Sequence, residues 1–149
     1  MPAVERLHGT LVADGRDGVL LRGPSGSGKS DLALRLMAPP WSWQLVADDQ
    51  IILERDGDTV VGTTPLSIAG KLEVRGIGIV AVSAAASARV RLIVDLVPRS
   101  GVPRLPEPAT ETLLDLPIPV FRLHAFEASA PHKVAVLLQN ILAGSLAKN

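Results

Sequence analysis

Apolar residues in this chain fall into short runs separated by clusters of glycine, proline and aspartate. Leu7–Val12 predicts a first strand, and Val19-Leu20-Leu21-Arg22 a second. Between them Asp14-Gly15-Arg16-Asp17-Gly18 supplies residues that tolerate a turn. A glycine-rich loop from Gly23 to Gly28 follows. The spacing of Leu32, Ala33, Leu36 and Met37 then predicts a helix starting near Lys29. Pro39-Pro40 ends it, because proline has no N–H to give the helix ladder and restricts the residue before it.

Gln44-Leu45-Val46-Ala47 reads as a buried strand that ends at Asp48-Asp49. Ile51–Arg55 and Thr59–Val61 form a hairpin around Asp56-Gly57-Asp58. Residues 72–82 are strand-like but interrupted by glycine, so part of them is expected to be loop. Arg89–Val97 is a strand. Residues 98–119 hold six prolines and predict a long irregular connection, closed by a short strand at Val120–Leu123. Ser129-Ala130-Pro131 is expected to cap a final helix running to about Leu146. Strands outnumber helices and only one crossover helix is evident. The pattern therefore predicts one α/β domain over residues 1–149 with a mixed, partly antiparallel central sheet.

Composition narrows the function. Lys+Arg and Asp+Glu are both 15, so no net field attracts nucleic acid or an anionic membrane, and neither is an expected partner. Aromatics are limited to Trp41, Trp43, Phe121 and Phe126, which leaves an aliphatic core and little for a nucleic-acid stacking surface. Cysteine is absent, which excludes disulfides, thiolate catalysis and Cys-ligated metals. No apolar run approaches the roughly 18 residues of a membrane helix, and the opening Met1-Pro2-Ala3-Val4-Glu5-Arg6 is not a signal peptide. A cytoplasmic protein is expected.

Gly23-Pro24-Ser25-Gly26-Ser27-Gly28-Lys29-Ser30 matches the phosphate-loop pattern G-x-x-x-x-G-K-[ST] in full. Its context fits as well, with an apolar strand before it and an amphipathic helix after it. Glycines let successive backbone N–H groups surround phosphate oxygens, and the helix N-terminus adds a favourable dipole. Lys29 would bridge β- and γ-phosphate, and Ser30 would ligate Mg²⁺. The alternative, a surface turn that happens to contain Lys-Ser, does not require that context. ATP or an equivalent polyphosphate is the expected ligand.

Asp48-Asp49 stand where a phosphate-loop protein places a metal-binding acid. In an extended segment the two side chains should point to opposite sides and do different jobs. Taken alone, the pair is equally a strand-ending turn.

His8-Gly9, the loop Gly23–Ser30, Leu45-Val46-Ala47-Asp48-Asp49 and Leu72-Glu73-Val74-Arg75-Gly76-Ile77-Gly78-Ile79 occur in the order and approximate spacing of HPr kinase/phosphorylase. The chain resembles the C-terminal catalytic domain of that family over about residues 5–140, and Glu-Val-Arg-Gly-Ile-Gly-Ile is the specific part. The resemblance implies the HPr kinase/phosphoenolpyruvate carboxykinase-like fold. It also implies an ATP- and Mg²⁺-dependent protein-serine kinase acting on HPr, the phosphocarrier of the phosphotransferase system. A reverse reaction at the same site would use inorganic phosphate and release pyrophosphate. By resemblance Asp49 is the general base, and Glu73 joins Ser30 and Asp48 as the metal set. His8 lies beside the transferring phosphate, and Arg75 and Arg104 serve the reaction. A homo-oligomer, in this family a hexamer, is implied, for which the aliphatic stretch Ile77–Val82 is a candidate interface.

The sequence departs from the family at several points. It lacks the N-terminal domain of the long form, so a short form is expected. Asp31 stands where the family has Glu, and Arg104 lacks the acid that usually precedes it. Ala128–Lys133 replaces a Gly-Arg-Asn segment linked to phosphorolysis, which leaves that second reaction open. The chain also ends after one C-terminal helix. Without the resemblance, the residues also suit a small-molecule kinase or a non-catalytic ATP- or phosphate-sensing module. His8 would then be an ordinary surface histidine, and Glu73 and Arg75 a solvated pair worth under ~1 kcal/mol.

Overall fold

The computed structural model describes residues 4–144. In chain order these form β1 (Val4–Asp14), β2 (Asp17–Arg22), α1 (Lys29–Met37), β3 (Gln44–Asp56) and β4 (Thr59–Thr63). There follow β5 (Lys71–Val74), β6 (Gly78–Ala81), β7 (Ala88–Leu96), β8 (Thr110–Leu113), β9 (Leu116–Leu123) and α2 (Ala130–Leu142).

The central sheet is mixed, as the scarcity of crossover helices predicts. β1 is flanked antiparallel by β2 and β3, and β3 by β4. β2 then pairs in parallel with β7, from Asp17↔Arg89 to Arg22↔Asp95. β7 also touches β4 at Val61↔Arg89 and Gly62↔Ala88. The strands β2, β1, β3, β4 and β7 therefore close into a ring. β9 extends it in parallel from β7, and β8 forms the outer edge. β5 and β6 make a separate hairpin.

Successive side chains on a strand face opposite sides, so runs that are apolar throughout bury both faces. Leu11, Leu20, Ile51, Leu53, Val90 and Ile93 pack on the side enclosed by the ring. Their neighbours Val12, Val19, Leu21, Leu92 and Val94 pack outward against Leu32 and Leu36 of α1 and Val134 and Leu138 of α2.

Several expectations need correction. Asp48-Asp49 do not end a strand: β3 runs through them to Asp56, with β1 as a partner along most of its length. The connection at 98–119 is not irregular throughout. It contains β8, a turn at Leu114-Asp115 with φ of 48° and 67°, and the start of β9. Pro117 and Pro119 lie inside β9, opposite Thr112 and Thr110 of the edge strand. The final helix ends at Leu142; Leu146 and the first three residues lie outside the described region. Ser129 precedes that helix, but its side chain makes no capping hydrogen bond.

Lys133 donates from Nζ to Glu127 Oε2 at 2.8 Å across the start of α2. This hydrogen bond holds the Glu127 carboxyl below its ordinary value. A lowered folded-state pKa contributes stability above the unfolded value, and the contribution fades as pH falls through the folded value. In Lys133→Met the Glu127 titration followed by carbon NMR should move up towards the ordinary carboxylate value; an unmoved midpoint would assign the shift to another group.

Candidate functional site

β2 ends at Arg22, where a planar guanidinium meets two carboxylates in matching fork geometry. Arg22 Nε and Nη2 donate to Asp95 on β7 at 2.8 and 3.1 Å, and Nη1 and Nη2 donate to Glu111 on β8 at 2.6 and 2.9 Å. The hydrogen bonds to Asp95 and then to Glu111 raise the Arg22 pKa further above its ordinary value, outweighing burial. This cluster ties β2 to β7 and β8 at the residue where the phosphate loop leaves the sheet. Arg22→Met should cost about 2 kcal/mol, because two partly buried carboxylates lose their charged partner. A urea midpoint equal to that of the wild type would contradict this. Adding Glu111→Gln should recover part of the loss.

The loop backbone depends on glycine at two positions. Gly26 has φ 85° and Gly28 φ 100°, where other residues are strained. A Cβ on Gly28 would also lie 2.6 Å from the Ala125 Cβ. From there α1 starts at Lys29. Lys29 Nζ donates to the Gly23 and Pro24 carbonyls at 2.5 and 3.2 Å, which holds the ammonium over the loop. The Ser27 hydroxyl is buried in the loop with no hydrogen-bond partner.

The loop opens into a cleft of about 690 Å³ whose walls include His8, Ser25, Ser30, Asp48, Asp49, Glu73 and Arg75. Both aspartates line it, against the expected opposition. Asp49 has φ 77°, which breaks the strand alternation and turns its carboxylate to the side of Asp48. Asp49 Oδ1 lies 3.0 Å from His8 Nδ1, both side chains being about two-thirds exposed. Asp48 is held differently. It accepts from the Thr10 hydroxyl at 3.0 Å and from the Glu73 backbone N–H at 3.2 Å. The second contact anchors the β5–β6 hairpin to β3 and carries Glu73 and Arg75 into the cleft. Arg75 extends towards the loop, with Nη2 3.9 Å from the point where a side chain on Gly26 would begin.

Most of the sequence-derived candidates thus come together in the cleft wall. Arg104 lies exposed in the connection between β7 and β8 and is not part of the cleft wall. Gly23, Pro24 and Ser27 form the base of the loop rather than the wall. Sequence reasoning overlooked Thr10, the one fully buried polar residue among those described. It stands directly opposite Asp48 in the β1–β3 register, two residues from His8, so strand pairing would have found it. Leu34 and Phe126 also line the cleft unanticipated.

No cluster of three His, Asp or Glu side chains fit to hold a metal occurs among the described residues. The donors that are present, Ser30, Asp48 and Glu73, are all hard oxygens around a phosphate loop. That suits Mg²⁺, which binds through one or two carboxylates and substrate phosphates while keeping several waters.

Comparison with known proteins agrees with this architecture. Residues 1–134 match the family model of the HPr serine kinase C-terminal domain. The HPr kinase/phosphorylase of Limosilactobacillus reuteri (strain DSM 20016) is 46% identical over 78 residues, 52% of this chain and 24% of that protein. The HPr kinase/phosphorylase of Lactobacillus acidophilus is 38% identical over 110 residues, 66% of this chain and 34% of that protein. The chain thus spans about a quarter to a third of these relatives. The solved Hpr(Ser) kinase/phosphatase from Coxiella burnetii superposes with a TM-score of 0.81 at 26% identity, covering 94% of this chain and 97% of that one.

Proposed function

Since the chain belongs to the HPr serine kinase C-terminal domain family, we propose that it is an ATP- and Mg²⁺-dependent kinase that phosphorylates a serine of an HPr-type phosphocarrier protein. The observation that carries this reading is the gathering of the phosphate loop, Asp48, Asp49, Glu73, Arg75 and His8 around one cleft. A nucleotide-binding module needs the loop and a cation site; it does not need a further carboxylate positioned as Asp49 is.

Phosphoryl transfer asks the protein mainly for position and for charge where charge develops. Backbone N–H groups of the loop cradle the phosphates, and Lys29 neutralises the β- and γ-oxygens. Ser30, Glu73 and Asp48 would hold Mg²⁺, which would supply positive charge to offset that of the phosphates. Asp49 accepts the serine hydroxyl proton as the serine oxygen bonds to the γ-phosphorus and the bridging oxygen leaves with ADP. His8, with its proton on Nδ1, donates to Asp49 and aims the carboxylate. Arg75 offsets negative charge on the moving phosphoryl group. In the reverse reaction inorganic phosphate takes the phosphoryl group from phosphoserine, pyrophosphate departs, and Asp49 returns the proton to serine. The altered segment Ala128–Lys133 makes the forward reaction the stronger expectation.

The test is transfer of γ-³²P from ATP with Mg²⁺ to purified HPr from the same genome, followed by addition of phosphate. Label on an HPr serine is the expected result, and its release as pyrophosphate would add the second activity. ATP binding with no label on HPr would overturn the reading in favour of another acceptor or a sensor.

A further inference from the structure

Phe126 is 51% exposed, whereas Trp43 is buried and Trp41 and Phe121 pack against the core. An exposed ring in a chain so poor in aromatics keeps apolar surface in water unless something covers it. It is also firmly held. Arg35 on α1 donates to the carbonyls of Ala125 and of Glu127, the latter at 3.2 Å, and so fixes the backbone on both sides of the ring. His124 meets the ring edge-on, with centroids 5.7 Å apart and planes at 72°. On the loop side the missing side chain of Gly28 makes room, since two ring carbons lie 3.1 and 3.2 Å from where its Cβ would be.

The strand order says which part of a ligand reaches this ring. Across the sheet run β3, β1, β2, β7 and β9. The phosphate loop leaves the middle strand, β2. Asp48 and Asp49 sit on β3 and His8 on β1, to one side of it; Phe126 follows β9 on the other. A triphosphate seated in the loop with its γ-phosphorus towards Asp49 sends its nucleoside towards Phe126.

We propose that Phe126, with Leu34 of α1 lining the same cleft, is the platform on which the base of the nucleoside triphosphate stacks. This inference rests on the nucleotide-binding reading above. Stacking uses the π-face common to all bases, so the platform contributes affinity for a nucleoside without selecting one base by hydrogen bonds.

Calorimetric titration with Mg–ATP and with Mg–tripolyphosphate separates base from phosphate binding. Phe126→Ala should weaken ATP roughly tenfold and leave tripolyphosphate unchanged, while Phe126→Trp should keep ATP affinity. Lys29→Ala should weaken both ligands. Unchanged ATP affinity in Phe126→Ala, with both ligands still lost in Lys29→Ala, would overturn the platform and leave the phosphate-loop reading standing. Equal weakening of ATP and tripolyphosphate would overturn it too, by showing that the ring acts only on loop shape. A wild-type protein that binds neither ligand would remove both readings together.

Discussion

Asp49→Asn should abolish phosphoryl transfer while leaving ATP affinity within a few-fold. Asparagine has the same shape and can still accept a hydrogen bond from His8 Nδ1, which lies 3.0 Å from the native carboxylate. It cannot take up the serine proton. Positioned general bases contribute about 10²–10⁴-fold, so transfer to HPr should fall by at least about 10²-fold. The side chain is well exposed and its removal leaves no buried charge behind, so folding should be unaffected. Single-turnover transfer measured beside equilibrium ATP binding distinguishes the roles. If nucleotide affinity collapsed with the rate, Asp49 would be a metal or structural residue, and Asp48 would become the candidate base. Asp48→Asn should behave differently, because that carboxylate also holds Thr10 and the backbone of the β5–β6 hairpin.

Lys29→Ala should remove turnover by a different route. The ammonium lies over the loop, 2.5 and 3.2 Å from the Gly23 and Pro24 carbonyls, and a bound γ-phosphate would exchange those partners for its own oxygens. Interactions with charge that grows during transfer act on the rate as well as on binding. Loss of one preorganised donor costs about 10²–10³-fold in turnover. Lys29→Ala should reach this range even at saturating ATP, and Lys29→Arg should not restore the rate, because the planar guanidinium does not reproduce a compact ammonium. A normal kcat in Lys29→Ala would discard the phosphate-loop assignment itself.

What was legible in the sequence was whatever depends on neighbours along the chain. The loop Gly23–Ser30 could be read because strand, glycines and helix are contiguous, and the helix face at Leu32, Ala33 and Leu36 is buried as its spacing predicts. The β5–β6 hairpin was half legible, its glycines marking the turn between Val74 and Gly78. The orientation of Asp49 was not legible. Alternation rules assume extended φ, and a positive φ at a non-glycine residue inside a strand leaves no mark in composition. The β8–β9 hairpin was hidden by Pro117 and Pro119, which argue against a strand, and by a Leu-Asp turn without glycine. Closure of the ring depends on β2 finding β7, some 70 residues later in the chain, and no local pattern reports that pairing. Arg104 entered as a candidate through a family tripeptide whose acid is missing here, and it is also the catalytic candidate that the fold leaves outside the cleft.

The distance along the chain between the phosphate loop and its supports has a consequence for synthesis. Arg22 at the base of the loop precedes its partners Asp95 and Glu111 by 73 and 89 residues, so the loop is synthesised well before the strands that support it. A parallel pair of this separation forms late, because the loop-closure entropy must be met before the contacts form. Nascent chains that end before β7 should therefore be unable to retain nucleotide, and the capacity to hold ATP should arise together with the finished fold.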